Sequence, residues 1–251
     1  MMTKIKTDAE IQAMREGGKM LATVLQALKN NIKSGMTTKD LADIAAKDLK
    51  RLGGKPAFLG YEGFPDVLCV SVNSQVVHGI PSKKKIIKDG DVVGLDFGVL
   101  HKGMVTDGAI TVIVNKPANP RVSQLVSKTE QALLRGIDAL RGGIKVGDVA
   151  SVIQQVLDNN KLGIVRDFVG HGVGHELHEE PNIPNFGSAG TGPILKAGMT
   201  IAIEPMATLG GDGVYVDRDN WTVRTKDKSL SAHFEHTVLV TPGGAEILTQ
   251  I

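Results

Sequence analysis

Lys88-Asp89-Gly90-Asp91-Val92-Val93-Gly94-Leu95-Asp96-Phe97 is the stretch on which the fold turns. The period of two puts Val93, Leu95 and Phe97 on one face of a strand and Asp96 on the other. Further along, Lys196-Ala197-Gly198 leads into Thr200-Ile201-Ala202-Ile203-Glu204, where Glu204 again lies opposite the isoleucines. An acid at the equivalent place in two similarly introduced strands is the mark of a repeated unit.

The flanking sequence repeats too. Ile11, Met14, Leu21, Leu25 and Leu28 fall at helical spacing, and a second helix is predicted from near Thr37 with Leu41, Ile44 and Leu49 inward. Strand-like runs follow at 67–72, 86–87, 92–97 and 109–114, the last closed by a loop with Pro117 and Pro120. Val126, Leu133, Ile137 and Leu140 then mark a long helix, and Val149, Ile153 and Val156 another. Even the joins agree, Ile32-Lys33-Ser34-Gly35 against Ile144-Lys145-Val146-Gly147. The expectation is an α+β fold, one domain over 1–251 made of related halves at about 11–115 and 123–245.

Composition narrows the function. At 251 residues and 41% hydrophobic content the chain can bury a sizeable core. A net charge of +2 is too balanced for a dedicated nucleic-acid binder, and 4% aromatics offer little base-stacking surface. The 30 glycines suggest many turns and strand bends. A single cysteine, Cys69, excludes an intrachain disulfide and favours a reducing compartment. No apolar signal core follows the N-terminus, and no run approaches the roughly 20 apolar residues of a membrane span. A soluble, cytoplasmic protein is expected.

The acids form a theme. A two-residue turn at His101-Lys102 would pair Leu100 with Gly103 and set Asp96 directly opposite Asp107. Like charges so placed repel, and a proton or cation between them removes the conflict. Glu204 and Glu235, each at a strand end, make four acids placed alike.

Gly170-His171-Gly172-Val173-Gly174-His175-Glu176-Leu177-His178 adds imidazoles. A helical zinc-peptidase motif needs histidines four apart, and here His178 follows His175 one residue too early. The glycines oppose a helix and predict an extended segment with close backbone approach. A structural zinc site is disfavoured by the excess of acids over thiolates. His78 alone reads as structural, Lys83-Lys84-Lys85 as a solvated turn, and Cys69 as a buried or pocket-lining hydrophobe.

Six segments carry a resemblance: Gly60-Tyr61-Glu62-Gly63-Phe64-Pro65; Ser71-Val72-Asn73 with Val77-His78-Gly79-Ile80-Pro81; Gly170-His171-Gly172-Val173-Gly174; Leu177-His178-Glu179-Glu180-Pro181; Ile203-Glu204-Pro205-Met206; and Ser231-Ala232-His233-Phe234-Glu235-His236-Thr237. Through them the chain resembles, along nearly its whole length, the type I methionine aminopeptidases in their short form. The interval between Glu204 and Glu235 leaves no room for the helical insertion of type II relatives. The resemblance implies a pseudo-two-fold pita-bread fold, a curved antiparallel sheet with helices on its outer face. It puts metal ligands at Asp96, Asp107, His171, Glu204 and Glu235, holding two divalent ions: Co, Mn, Fe(II) or Zn.

The implied reaction is removal of the initiator methionine from nascent proteins and peptides when the second residue is small. A metal-bridged hydroxide attacks the first peptide bond. Glu204 shuttles the proton, His178 binds the carbonyl or oxyanion, and His78 meets the scissile nitrogen or the leaving amine. By the same resemblance Tyr61, Phe64, Cys69, Leu177 and Trp221 would line the methionine slot. The partner is a peptide or nascent-chain N-terminus with transient ribosome contact, without membrane or specific nucleic acid, and the enzyme is expected to be a monomer. Because Met2 is not small, Met1 is expected to stay in place. Gly108, Leu177 and His233 depart from the family pattern without removing a ligand. Two other readings are a non-catalytic binder of ribosome or RNA, which would lose ligands, and a prolyl-type aminopeptidase. The latter usually carries a large N-terminal domain, and with the first helix starting at Ile11 none is expected here.

Overall fold

The computed structural model describes residues 4–251, so the Met1-Met2 junction lies outside the described residues. Helix α1 (Asp8–Asn31) starts at a capping box in which Thr7 and Glu10 satisfy each other's backbone N–H groups. Thr37 and Asp40 repeat the device for α2 (Thr38–Leu52). Pro120 opens α3 (Pro120–Ala139) behind an Asn119 cap, rather than sitting in a loop as the sequence reading had it. Proline is suited to that first helical position because its missing N–H is unpaired there anyway. Helix α4 (Val146–Asn159) completes the second pair.

Fourteen strands are described. They are β1 (Lys55–Pro56), β2 (Cys69–Val72), β3 (Val92–His101), β4 (Met104–Ile113), β5 (Gly163–Ile164), β6 (Gly170–Gly172) and β7 (Glu179–Ile183), then β8 (Thr200–Ile203), β9 (Met206–Thr208), β10 (Val214–Val216), β11 (Val223–Thr225), β12 (Ser231–His233), β13 (Glu235–Val240) and β14 (Ala245–Ile247). The run at 86–87 forms no strand; Ile86 makes an isolated bridge to Thr37. The main sheet is antiparallel in the order β1-β3-β4-β13-β8-β6-β7, with β2 added on β3 and β14 on β13.

One face of this sheet is apolar and covered by helices. Leu21, Leu25, Leu41 and Leu49 of α1 and α2 pack with Val93, Leu95 and Phe97. Leu125, Leu133, Val149 and Ile153 of α3 and α4 pack with Ile201, Ile203 and Val238. Ile110 touches both clusters and joins them. The helix pairs consume the apolar face, so the other face is left for chemistry. Among the described residues no helix is long and apolar enough to cross a membrane.

Candidate metal centre

The register of the sheet gathers the acids. The β3–β4 turn lies at Lys102-Gly103, because His101 pairs with Met104, so Asp96 faces Ala109 and Asp107 faces Gly98. The expected direct opposition of Asp96 and Asp107 is therefore wrong by one pair. A turn moved by one residue changes pairing by two, which preserves the face and makes the aspartates diagonal neighbours.

Two transverse rows result. In the first, Cys69 pairs with Asp96, Asp96 with Ala109 and Ala109 with Glu235. In the second, His171 pairs with Ala202 and Ala202 with Thr237, whose hydroxyl accepts the Asp107 N–H at 2.8 Å and donates to the Asp107 carbonyl at 2.8 Å. Small residues separate the functional ones, which leaves the space above Ala109 and Ala202 to carboxylates and imidazole. Glu204 follows the last residue of β8. At Gly170 any Cβ would stand 2.3 Å from the Ala202 carbonyl oxygen, so only glycine lets β6 approach β8 and deliver His171.

The resulting group is buried and crowded. Ligand atoms of Asp107, His171 and Glu235 lie within 4.8 Å of one another, as do those of Glu204, His233 and Glu235. His171 Nε2 is 3.5 Å from Glu204 Oε1. Its Nδ1 is 2.9 Å from the Gly172 carbonyl, which can only accept, so the hydrogen sits on Nδ1 and Nε2 keeps a lone pair for a ligand. Asp96 Oδ1 and Glu235 Oε1 are buried without a hydrogen-bond partner. Burial raises the Asp96 carboxyl to about 7. Burial, with the other acids adding, also pushes Asp107 and Glu235 well above the usual carboxylate range. Glu204 goes the other way: burial raises it, but His233, His171 and His78 together hold it below its ordinary value. Unsatisfied acceptors and mutually repelling carboxylates are what a bound cation would relieve, so these residues fit divalent metal.

Beside the acids is a cavity of about 130 Å³ that touches every residue expected at the site. Asp96, Asp107, His171, Glu204, Glu235, His78 and His178 line it together with Tyr61, Phe64, Cys69, Leu177 and Trp221. Tyr61 Oη is 2.8 Å from His178 Nδ1, and burial lowers the His178 imidazole to about 4. His78, at φ 59°, is held edge-on between Phe168 and Trp221, and burial lowers its pKa also. Phe58 and Glu62 line the cavity as well and were not anticipated. Glu62 belongs to the Gly60-Tyr61-Glu62-Gly63-Phe64-Pro65 segment, whereas Phe58 carries no signal beyond its apolarity. Glu179 fixes the loop between His171 and His178 by accepting the N–H groups of His175 and Glu176 and pairing with the buried Lys6 at 3.0 Å.

A twofold-repeated helix-and-strand fold with a carboxylate-rich centre defines a class. The chain belongs to metallopeptidase family M24, whose model matches residues 12–242. Within that family it belongs with the methionine aminopeptidases. It is 42% identical to the Aquifex aeolicus methionine aminopeptidase over 100% of both chains. The crystal structure of the Thermotoga maritima methionine aminopeptidase matches with a TM-score of 0.98 at 45% identity, again over 100% of both chains. A prolidase from Pyrococcus furiosus shares the fold at 26% identity and a TM-score of 0.79, but this chain covers only 65% of it. The protein is thus a metallopeptidase with the pita-bread fold.

Proposed function

We propose that this enzyme removes N-terminal methionine from peptides and nascent chains with a small second residue, in the cytoplasm, using two divalent ions held by Asp96, Asp107, His171, Glu204 and Glu235. One observation carries the reading: a single cavity borders both the buried acid cluster and an apolar wall of Phe64, Cys69, Leu177 and Trp221. That wall takes an unbranched apolar side chain, and the acids lie where the bond beyond it would be. Divalent cations there would acidify water and polarise the scissile carbonyl.

The remaining roles belong to side chains. Glu204 is the one acid of the four held below its ordinary pKa, because imidazoles face it despite its burial. It is the base that takes the proton from water and passes it to the leaving amine. His178 is neutral at pH 7, and with Nδ1 accepting from the Tyr61 hydroxyl its Nε2–H is free to donate to the carbonyl oxygen as charge develops. His78, buried and with its pKa lowered by that burial, meets the scissile nitrogen. Asp96 and Asp107 come from the first half of the chain and the other three ligands from the second. The halves at about 11–115 and 123–245 are therefore read as one catalytic domain, and since one chain supplies every ligand, as a monomeric enzyme.

Reconstitution of metal-free protein with Mn, Fe(II), Co and Zn, assayed on Met-Ala, Met-Leu and Xaa-Pro peptides, tests this. Metal-dependent release of methionine from Met-Ala well above Met-Leu is expected. Preference for Xaa-Pro would favour a prolyl enzyme, and inertness with every ion a binding-only member of the fold.

A further inference from the structure

His233 stands two residues before Glu235, and the alternation puts both on the site face while Phe234 turns into the apolar core beneath α3 and α4. The imidazole is 3% exposed. Its backbone is clamped on both sides: the His233 N–H donates to Thr111 Oγ1 at 2.9 Å, and the Thr111 hydroxyl donates to the His233 carbonyl at 2.6 Å. Yet its Nε2 has no hydrogen-bond partner. That nitrogen lies 3.4 Å from Glu204 Oε2 and 4.0 Å from Glu235 Oε2.

The same relation holds on the other side of Glu204, whose Oε1 is 3.5 Å from His171 Nε2. Each oxygen of one carboxylate thus faces one imidazole nitrogen at nearly equal range. A charge-assisted N–H···O bond is shorter, about 2.7–2.9 Å. Donors bound about 2.0–2.2 Å from one ion stand roughly 2.8–3.6 Å apart at octahedral to tetrahedral angles. The 3.4 Å separation matches two donors sharing an ion better than it matches a donor and its acceptor.

We infer that His233 is a sixth donor of the metal centre, sharing an ion with Glu204 Oε2 and Glu235. The inference rests on the metal-centre reading above and extends it. A second imidazole makes the donor set more nitrogen-rich, which favours Co, Ni and Zn over Mn more strongly than a carboxylate site with a single histidine would.

Cobalt-loaded enzyme examined by paramagnetic NMR provides the test, since each coordinated imidazole contributes its own strongly shifted ring signals. Two sets are expected, one of which disappears in His233→Gln while the other persists. His233→Gln is also expected to weaken binding of one cobalt ion roughly tenfold or more, and to weaken Mn binding less. His233→Asn is the second variant if glutamine disturbs the fold by circular dichroism. A single set of shifted imidazole signals in both wild type and variant, with cobalt stoichiometry unchanged, would overturn the assignment of His233 and leave the centre standing. Wild-type protein that binds no cobalt would overturn the centre, and His233 with it.

Discussion

The two halves of the chain bring unlike carboxylates to one site. Asp96 and Asp107, from β3 and β4, are raised chiefly by burial; Glu204 adds to the rise at both and Asp96 to that of Asp107, while His233 partly offsets it at Asp96. Glu204, following β8, is equally buried yet lowered, because His233, His171 and His78 surround it. The first half thus delivers an acid pair that needs a cation, whereas the second delivers Glu235, raised in the same way, and Glu204, which its imidazole neighbours hold below its ordinary value. Similar backbone placement does not imply similar chemistry; the neighbours across the sheet decide it.

The sharpest way to break this contrast is Glu204→Gln, which keeps the shape and removes the charge. We expect kcat to fall roughly a hundredfold to ten-thousandfold, the usual range for a lost general base, with KM much less affected. Steady-state kinetics on Met-Ala peptides at matched metal content checks it. A fall below tenfold would move the proton work to another group.

Metal removal probes the aspartate side. With folded pKa values above the unfolded ones, metal-free native protein holds protons that the unfolded chain has released. Its stability therefore falls as pH rises from about 4 towards the Asp96 value of about 7. Bound divalent ions favour the ionised acids, so the stability gap between loaded and metal-free enzyme should widen over that interval, by on the order of a few kcal/mol. Calorimetric melting at several pH values, with and without chelator, measures it. A gap independent of pH would show that the aspartates are already ionised without metal.

Much of this was legible in sequence because strand alternation is a local rule. It put Asp96 and Glu204 on the face away from Leu95 and Ile203, and that holds in the packed sheet. The β3–β4 register depends on which residue pair takes the positive φ values of a tight two-residue turn, and here it is Lys102 at 49° and Gly103 at 81° instead of His101 and Lys102. The contact of His233 with Glu204 was hidden. It joins a residue in β12, which pairs with β9 in a separate three-stranded sheet, to one after β8 in the main sheet, and only the folded chain brings them together. Lys85 read as part of a solvated turn, but it is half-buried and its amine reaches Gln75.

Delivery of His171 offers a structural test confined to the second half. Gly170→Ala would push a methyl into the Ala202 carbonyl and prise β6 from β8. A loss of about 1–3 kcal/mol in stability is expected, as for other overpacked sites. Metal affinity should fall with it, because His171 is the next residue. Urea unfolding and metal titration read the two effects separately. Unchanged metal affinity in a destabilised variant would mean that His171 does not depend on this strand pairing.

The apolar slot also draws on both halves, with Phe64 and Cys69 from one and Leu177 and Trp221 from the other, and here the smallest effect is expected. Leu177 is buried in the cluster that includes Phe58, Phe64 and Cys69. An aromatic ring in its place would narrow one wall without touching a ligand. Pocket-size changes of this kind shift discrimination by under about 2 kcal/mol. Leu177→Phe should therefore alter the kcat/KM ratio between methionyl and leucyl or norleucyl peptides modestly and leave metal content unchanged. A hundredfold or larger change in that ratio would mean that Leu177 controls the position of the scissile bond over the acids as well as the width of the slot.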